Sequence, residues 1–225
     1  RSWAEKGHPA WAKRGIWMLM QIGTRQALLE LLRLKSHFIV QEEARLAFEM
    51  LALKMGLSSQ MLADWGLPDL GMNQEGICRL DYGSRQFTVR FNEEFLLRIY
   101  DDAQKTMRVI PRARQEDDEE KVGKAVETWR FLRETSEKVV GYLKKRMERG
   151  MVEEDSWRVS DFSGWMLEHS VWRAFMVRML WGSGEDVFRV AEDGMFLNLQ
   201  DQPVQLSALT VKILHPLEIE SLEAW

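Results

Sequence analysis

The 225-residue chain holds a single cysteine, Cys78. One thiol cannot build an internal disulfide framework or a cysteine-based zinc site. A reducing, cytoplasmic setting fits that usage. Long apolar runs are also missing. None reaches the roughly 18–20 residues needed to span a bilayer, and the longest stretches carry Arg or Lys. No charge dominates: the formal net charge is -4, which implies no broad pull toward nucleic acid or a membrane surface. The opening RSWAEKGHPAW has neither an initiator Met nor a signal-peptide apolar core. The chain is therefore expected to be a piece of a longer protein.

Signatures of catalysis are lacking too. There is no Gly-rich phosphate loop, no GxSxG elbow and no HExxH. No serine is flanked in sequence by a credible base. The four histidines, His8, His37, His169 and His215, pair neither with one another nor with Cys or carboxylates at a familiar metal spacing. No metal and no cofactor is expected, and the reading leans away from an enzyme.

What is present is an ordinary globular composition, 45% apolar and 29% charged. Residues 8–55 read as helices. Ala12, Ile16, Leu19 and Met20 follow one another at helical spacing, with Pro9 in the first turn. Gly23 breaks the pattern and Thr24 can cap the next helix, which carries Ala27, Leu28, Leu31, Leu32 and Leu34. A third stripe runs through Ala44, Leu46, Ala47, Met50, Leu51 and Leu53 to Gly56. Short helices with short breaks suggest a solenoid unit, whose outer face needs a neighbour. Ser58 or Ser59 can cap a short helix through Leu62 and Trp65.

The turn-rich LPDLGMNQEG then opens a new unit. From Ile77 the apolar period becomes two, predicting a three-stranded antiparallel meander broken at Gly83-Ser84 and Asn92-Glu93, with Phe95, Leu97 and Ile99 in its last strand. One face is apolar and the other carries Arg79, Arg90 and Arg98. The acidic run 116–120 sits where a helix should start. Apolar residues from Val122 to Met147 predict one long amphipathic helix over 116–149, about 50 Å long at 1.5 Å per residue, closed at Arg149-Gly150. Ser160 and Ser170 can cap two short helices, the second running through Leu180 to Gly182 and Gly184. Asp193-Gly194 between alternating apolar runs signals a hairpin. Val211, Ile213 and Leu214 form a last strand, and His215-Pro216 opens a short helix toward Trp225. The fold class is α+β, with a helical segment over 1–63 and an α+β domain over 64–225.

Four stretches, in order, resemble a known family: DWGLPDLGMNQEG with LDYGSRQFTVRF (64–91), KKRMERGMVEEDSW (144–157), HSVWRAFMVRMLWG (169–182) with FRVAEDG (188–194), and ILHPLEIESLEAW (213–225). They are similar to the bacterial domain of unknown function found in the molybdate metabolism regulator and its large relatives. Those relatives often combine it with a WGR domain, and the helices over 8–55 resemble the HEAT-like repeats that precede it. The family pattern has His-Pro where this chain has His169-Ser170. The family domain continues past the position of Trp225, implying a truncated end. The resemblance brings no established chemistry.

The candidate binding residues are Asp81, Tyr82, Arg85, His169 and Arg173. The first three sit in a turn where Gly83 allows close backbone approach; the plainer reading is a hairpin turn with a packed Tyr and a solvated Arg. His169 and His215 read first as capping histidines bonded to backbone, and only then as ligands. Trp165, Trp172, Phe175 and Trp181 could stack on nucleobases, but their helical spacing fits a core. Arg173, Arg178 and Arg189 could form a basic patch, yet three scattered arginines in a net acidic chain do not argue for nucleic acid. Two functions remain. One is a non-catalytic protein-interaction or scaffold module of a larger bacterial regulator, partnered by other domains of its parent chain and by other proteins, with no membrane role. The other is a nucleotide- or nucleic-acid-responsive enzyme domain assembled from scattered residues, expected to show a pocket holding Asp81, Arg85 and His169.

Overall fold

The computed structural model describes residues 9–35 and 39–219; His8, His37 and the run from 220 to Trp225 lie outside the described residues. The chain divides into two compact units, Arg1–Pro68 and Asp69–Trp225, and the whole is α+β.

The first unit is helical: α1 (Pro9–Ile22), α2 (Arg25–Leu34), α3 (Gln41–Lys54) and α4 (Ser59–Trp65). Gly23 takes a φ of +60°, and Thr24 accepts a hydrogen bond from the Ala27 amide to start α2. Ser58 starts α4 in the same way through the Met61 amide. Ala12, Ile16 and Met20 of α1 are buried with Ala27, Leu28, Leu31 and Leu34 of α2. In α3 the stripe read from sequence divides between two faces. Ala44, Ala47, Phe48, Leu51 and Ala52 are buried, whereas Leu46, Met50 and Leu53 point to solvent. Phe48 and Ala52 are the core residues that the apolar stripe passed over.

The second unit begins with a meander of four strands, not three: β1 (Cys78–Asp81), β2 (Gln86–Phe91), β3 (Leu97–Tyr100) and a two-residue β4 (Thr106–Met107), paired in chain order. Leu80 lies opposite Phe87, and Val89 lies between Cys78 and Ile99. This is the buried face. Arg79, Arg90 and Arg98 project from the other, as the period of two requires. Phe95 is not a strand residue. It sits in the β2–β3 turn with a φ of +60° and stacks on Phe175 at 3.9 Å between ring centroids.

Helix α5 (Glu119–Val152) is 34 residues long. Asp118 caps it by accepting from the Lys121 amide, and Glu119 and Glu120 complement the dipole in its first turn. The predicted stop at Gly150 is displaced. Gly150 lies inside the helix, where a Cβ would come within 3.2 Å of the Trp157 ring. The left-handed residue that ends the helix is Glu154, with a φ of +53°.

The five-stranded second sheet has the order β5-β9-β6-β7-β8: β5 (Ser156–Arg158), β9 (Thr210–Ile213), β6 (Leu180–Ser183), β7 (Asp186–Val190) and β8 (Phe196–Leu197). The last strand thus enters the middle of the sheet. Gly182 is a strand residue here, not a helix stop; a Cβ on it would lie 2.8 Å from Leu214. The β7–β8 turn is the Asp193-Gly194 hairpin, with Gly194 at a φ of +90°.

Two short helices, α6 (Val159–Asp161), continued by a π-helical turn over Phe162–Met166, and α7 (Ser170–Met176), accompany this sheet. Ser160 lies within α6 and Arg158 is its cap position. Trp157, Phe162, Trp172 and Trp181 are fully buried. Their rings meet edge-on, with Phe162 and Trp181 centroids 4.6 Å apart and Trp157 and Trp181 5.8 Å apart. Edge-to-face contact suits the ring quadrupoles. The Trp181 indole N–H donates to the Met176 carbonyl at 2.9 Å. With Phe175 these aromatics form core, and Trp165 is half-buried with its ring edge-on to Trp172.

Candidate functional site

The 81–85 turn is closed upon itself and upon the segment leading into α5. Gly83 holds a φ of +84°, and a Cβ there would sit 2.9 Å from the Asp118 Cβ. The Asp118 amide donates to the Tyr82 carbonyl at 2.9 Å. Tyr82 is buried, and its hydroxyl donates to the Pro111 carbonyl at 2.8 Å. Burial pushes its pKa up. Asp81 accepts from the Gly83 amide and pairs with Lys121 at 2.9 Å. Lys121, and then the Gly83 amide, lower its pKa.

Arg85 is not solvated. Its Nη2 donates to Asp117 at 2.5 Å and to the Arg112 carbonyl at 3.1 Å. Asp117 also accepts from the Ser84 hydroxyl and the Arg114 amide. Its side chain is 1% exposed. The Arg85 guanidinium, chiefly, holds that carboxyl far below the ordinary carboxylate range. Asp117 is the residue that sequence reading missed. It lay inside an acidic run taken as a helix start, and only its place just before the capping Asp118 marked it out.

His169 and His215 perform the same task at two places. The His169 Nδ1 accepts from the Val171 and Trp172 amides at 3.3 and 3.4 Å, so it, and not Ser170, is the cap of α7. Ser170 occupies the first helical position, where proline is suited, and its hydroxyl donates to the Asp69 carbonyl at 2.9 Å. The His215 Nδ1 accepts from Leu217 at 3.2 Å, with Pro216 at the first position and Glu218 accepting from the His215 amide. An Nδ1 that accepts amide protons carries no proton itself, which leaves Nε2 as the protonated nitrogen in the neutral ring.

Arg173 lies elsewhere. It lines a cleft of about 350 Å³ together with Arg90, Arg178, Glu75, Glu192 and Val177. Asp81, Arg85 and His169 are not among its lining residues. The Arg173 Nη2 donates to the Glu192 carbonyl at 2.5 Å. Arg178 donates to the Ala174 and Asn92 carbonyls, and its guanidinium lies 4.2 Å from the centre of the Phe95 ring. Desolvation lowers its pKa, with Glu93 opposing. Arg90 donates to the Gln104 side chain at 3.2 Å and rests 4.3 Å over Tyr100. Sequence reading put Arg90 on a strand face and Arg178 on a helix, and had no signal that they meet. Among the described residues no group of three or more His, Cys, Asp or Glu side chains could hold a metal ion, and no helix is long and apolar enough to cross a membrane.

The described residues thus make a helical unit and a two-sheet α+β unit, the latter with an arginine-lined cleft. The chain belongs to the DUF4132 family, a domain of unknown function, whose profile matches residues 105–225. It is similar to the uncharacterized protein YehI of Escherichia coli (strain K12), 32% identical over 231 aligned positions. That similarity covers 97% of this chain, and the chain spans 19% of the length of that relative. No solved structure matches.

Proposed function

We propose that this chain is a non-catalytic interaction module of a larger bacterial regulatory protein. One observation carries the reading. Leu46, Met50 and Leu53 fall on one face of α3, and Trp11, Met18 and Ile22 on one face of α1, and all are exposed. Met18 and Leu53 are 67% and 81% exposed. Single exposed apolar residues are ordinary. Residues in helical register that leave an apolar stripe open mark a contact surface. The occupant we assign is a further helical segment of the parent chain, stacked as HEAT-like repeats stack. The relative's length beyond the aligned part, about four-fifths of that protein, supports this.

The resemblance of the four sequence stretches extends the reading to a cytoplasmic regulator linked to molybdate metabolism and accompanied by a WGR domain. Its partners are then other domains of the same chain and further proteins. Hydrogen exchange tests the central claim. Amides over 9–22 and 41–54 should exchange more slowly in the intact parent protein than in the isolated chain. Equal rates in both would overturn the assignment.

A further inference from the structure

We propose that the cleft beside α7 binds a small phosphomonoester of a polyol. The cleft, at about 350 Å³, falls within the roughly 300–1,000 Å³ typical of small-molecule sites. Arg90, Arg173 and Arg178 line it from the end of β2 and from the α7 segment. Several arginines of this unit pair directly with carboxylates: Arg85 with Asp117, Arg146 with Asp155, Arg189 with Asp201. In the cleft, the bonds described for the arginines go to the carbonyls of Glu192, Ala174 and Asn92 and to the Gln104 amide oxygen. Neutral acceptors fix a guanidinium in place without a direct ion pair, and with three arginines against Glu75 and Glu192 the lining keeps a net positive charge. Each has five N–H donors, and the bonds described engage one or two of them.

The number of arginines selects the ligand. A monocarboxylate offers one charge and two oxygens, which a single arginine satisfies as a fork. A phosphomonoester offers three terminal oxygens and about -1.5 to -2 charges at neutral pH. Glu75 and Glu192 also line the cleft. They offset two of the three guanidinium charges, so the cleft takes one anionic group at its arginine side and not a second, and they accept hydrogen bonds from hydroxyls, which suits a polyol. Ala174 and Val177 give the carbon skeleton an apolar wall.

The test is an NMR titration of the whole chain with glycerol 3-phosphate, with glycerol, inorganic phosphate and succinate as comparators. Saturable shifts with glycerol 3-phosphate are expected, weakened by salt and tightening as pH rises through about 6, where the second phosphate proton leaves. Arg90→Gln and Arg173→Gln should each weaken binding about tenfold or more, the usual effect of removing a charged hydrogen bond. Arg173 also holds the Glu192 carbonyl, so melting curves accompany both variants. If Arg173→Gln does not fold, Arg90→Gln, at an exposed position, decides alone. Absence of saturable binding, or binding that the folded variants retain, overturns the proposal. Succinate binding as tightly as the phosphate ester overturns the ligand class.

Discussion

Two arginine-bearing regions of the second unit use the same side chain in opposite ways. At the 81–85 turn, Arg85 meets a carboxylate that is 1% exposed, and Asp81 pairs with Lys121. At the cleft, Arg173 and Arg178 are pinned by backbone carbonyls and Arg90 by an amide. The first arrangement neutralises charge and joins a hairpin to the start of a helix. The second positions guanidinium groups without a direct ion pair, beside the carboxylates of Glu75 and Glu192 in the same cleft. The residue type alone therefore says little; what lies opposite the guanidinium separates a structural arginine from one available to a ligand.

The largest expected effect tests how tightly the first region is closed. Gly83 and Gly76 both have positive φ, at +84° and +72°. Alanine at Gly83 would also meet the Asp118 Cβ at 2.9 Å, whereas a Cβ at Gly76, in the cleft wall, meets nothing within 4 Å. Gly83→Ala should cost about 2–4 kcal/mol, left-handed strain plus overlap. Gly76→Ala should cost only the strain, about 1–2 kcal/mol. Urea denaturation of the two variants decides it, and equal losses would show that the turn yields as easily as the cleft wall.

The same contrast explains what was legible in the sequence. Most local signals read well, although Ser160 and Ser170 each lie inside the helix they were expected to cap. The period of two gave the meander faces, Thr24 and Ser58 acted as caps, Asp193-Gly194 turned, and α5 began at its acidic run. Signals that depend on distant partners did not. Gly150 looks like a helix stop, but it is a bare spot for Trp157, and Gly182 makes room for Leu214. Leu180 carries the helical spacing onward but pairs in a strand, because Ile213 and Lys212 return alongside Trp181 and Gly182. His169 was legible as a cap, since capping is local. The Arg85–Asp117 pair spans 32 residues, and the cleft joins segments about a hundred residues apart, so neither leaves a periodic trace.

A second, smaller effect is the part of the acid-side pH dependence that the first region supplies, beside that of Glu43 and Glu218 elsewhere. The Asp117 pKa is depressed below its ordinary 3.8, chiefly by the Arg85 bond. A depressed folded-state pKa stabilises the fold fully above the unfolded value and less as pH falls through the folded one. Thermal midpoints of the native chain should therefore drop as pH falls below about 4. Asp117→Asn should melt lower at neutral pH and lose part of that acid-side slope. An unchanged slope would mean that the carboxylate does not act through its ionised form.

The smallest effect is the most discriminating, because it separates the two kinds of arginine by stability alone. Arg90 is exposed, bonded to Gln104 and stacked on Tyr100. Its exposed cation–π contact is worth about 0.5–1 kcal/mol, so Arg90→Gln should destabilise the fold by no more than about 1 kcal/mol. Arg85→Gln should cost more, since it leaves the carboxylate of Asp117 enclosed without the guanidinium that offsets its desolvation. Side-by-side urea curves measure the difference. If Arg90→Gln proves as damaging as Arg85→Gln, the cleft arginines are structural after all, and their neutral acceptors would be sufficient reason for their presence. If Arg90→Gln is nearly silent, folding does not require that charge in the cleft, and the guanidinium is free to serve a ligand, which the titration then decides.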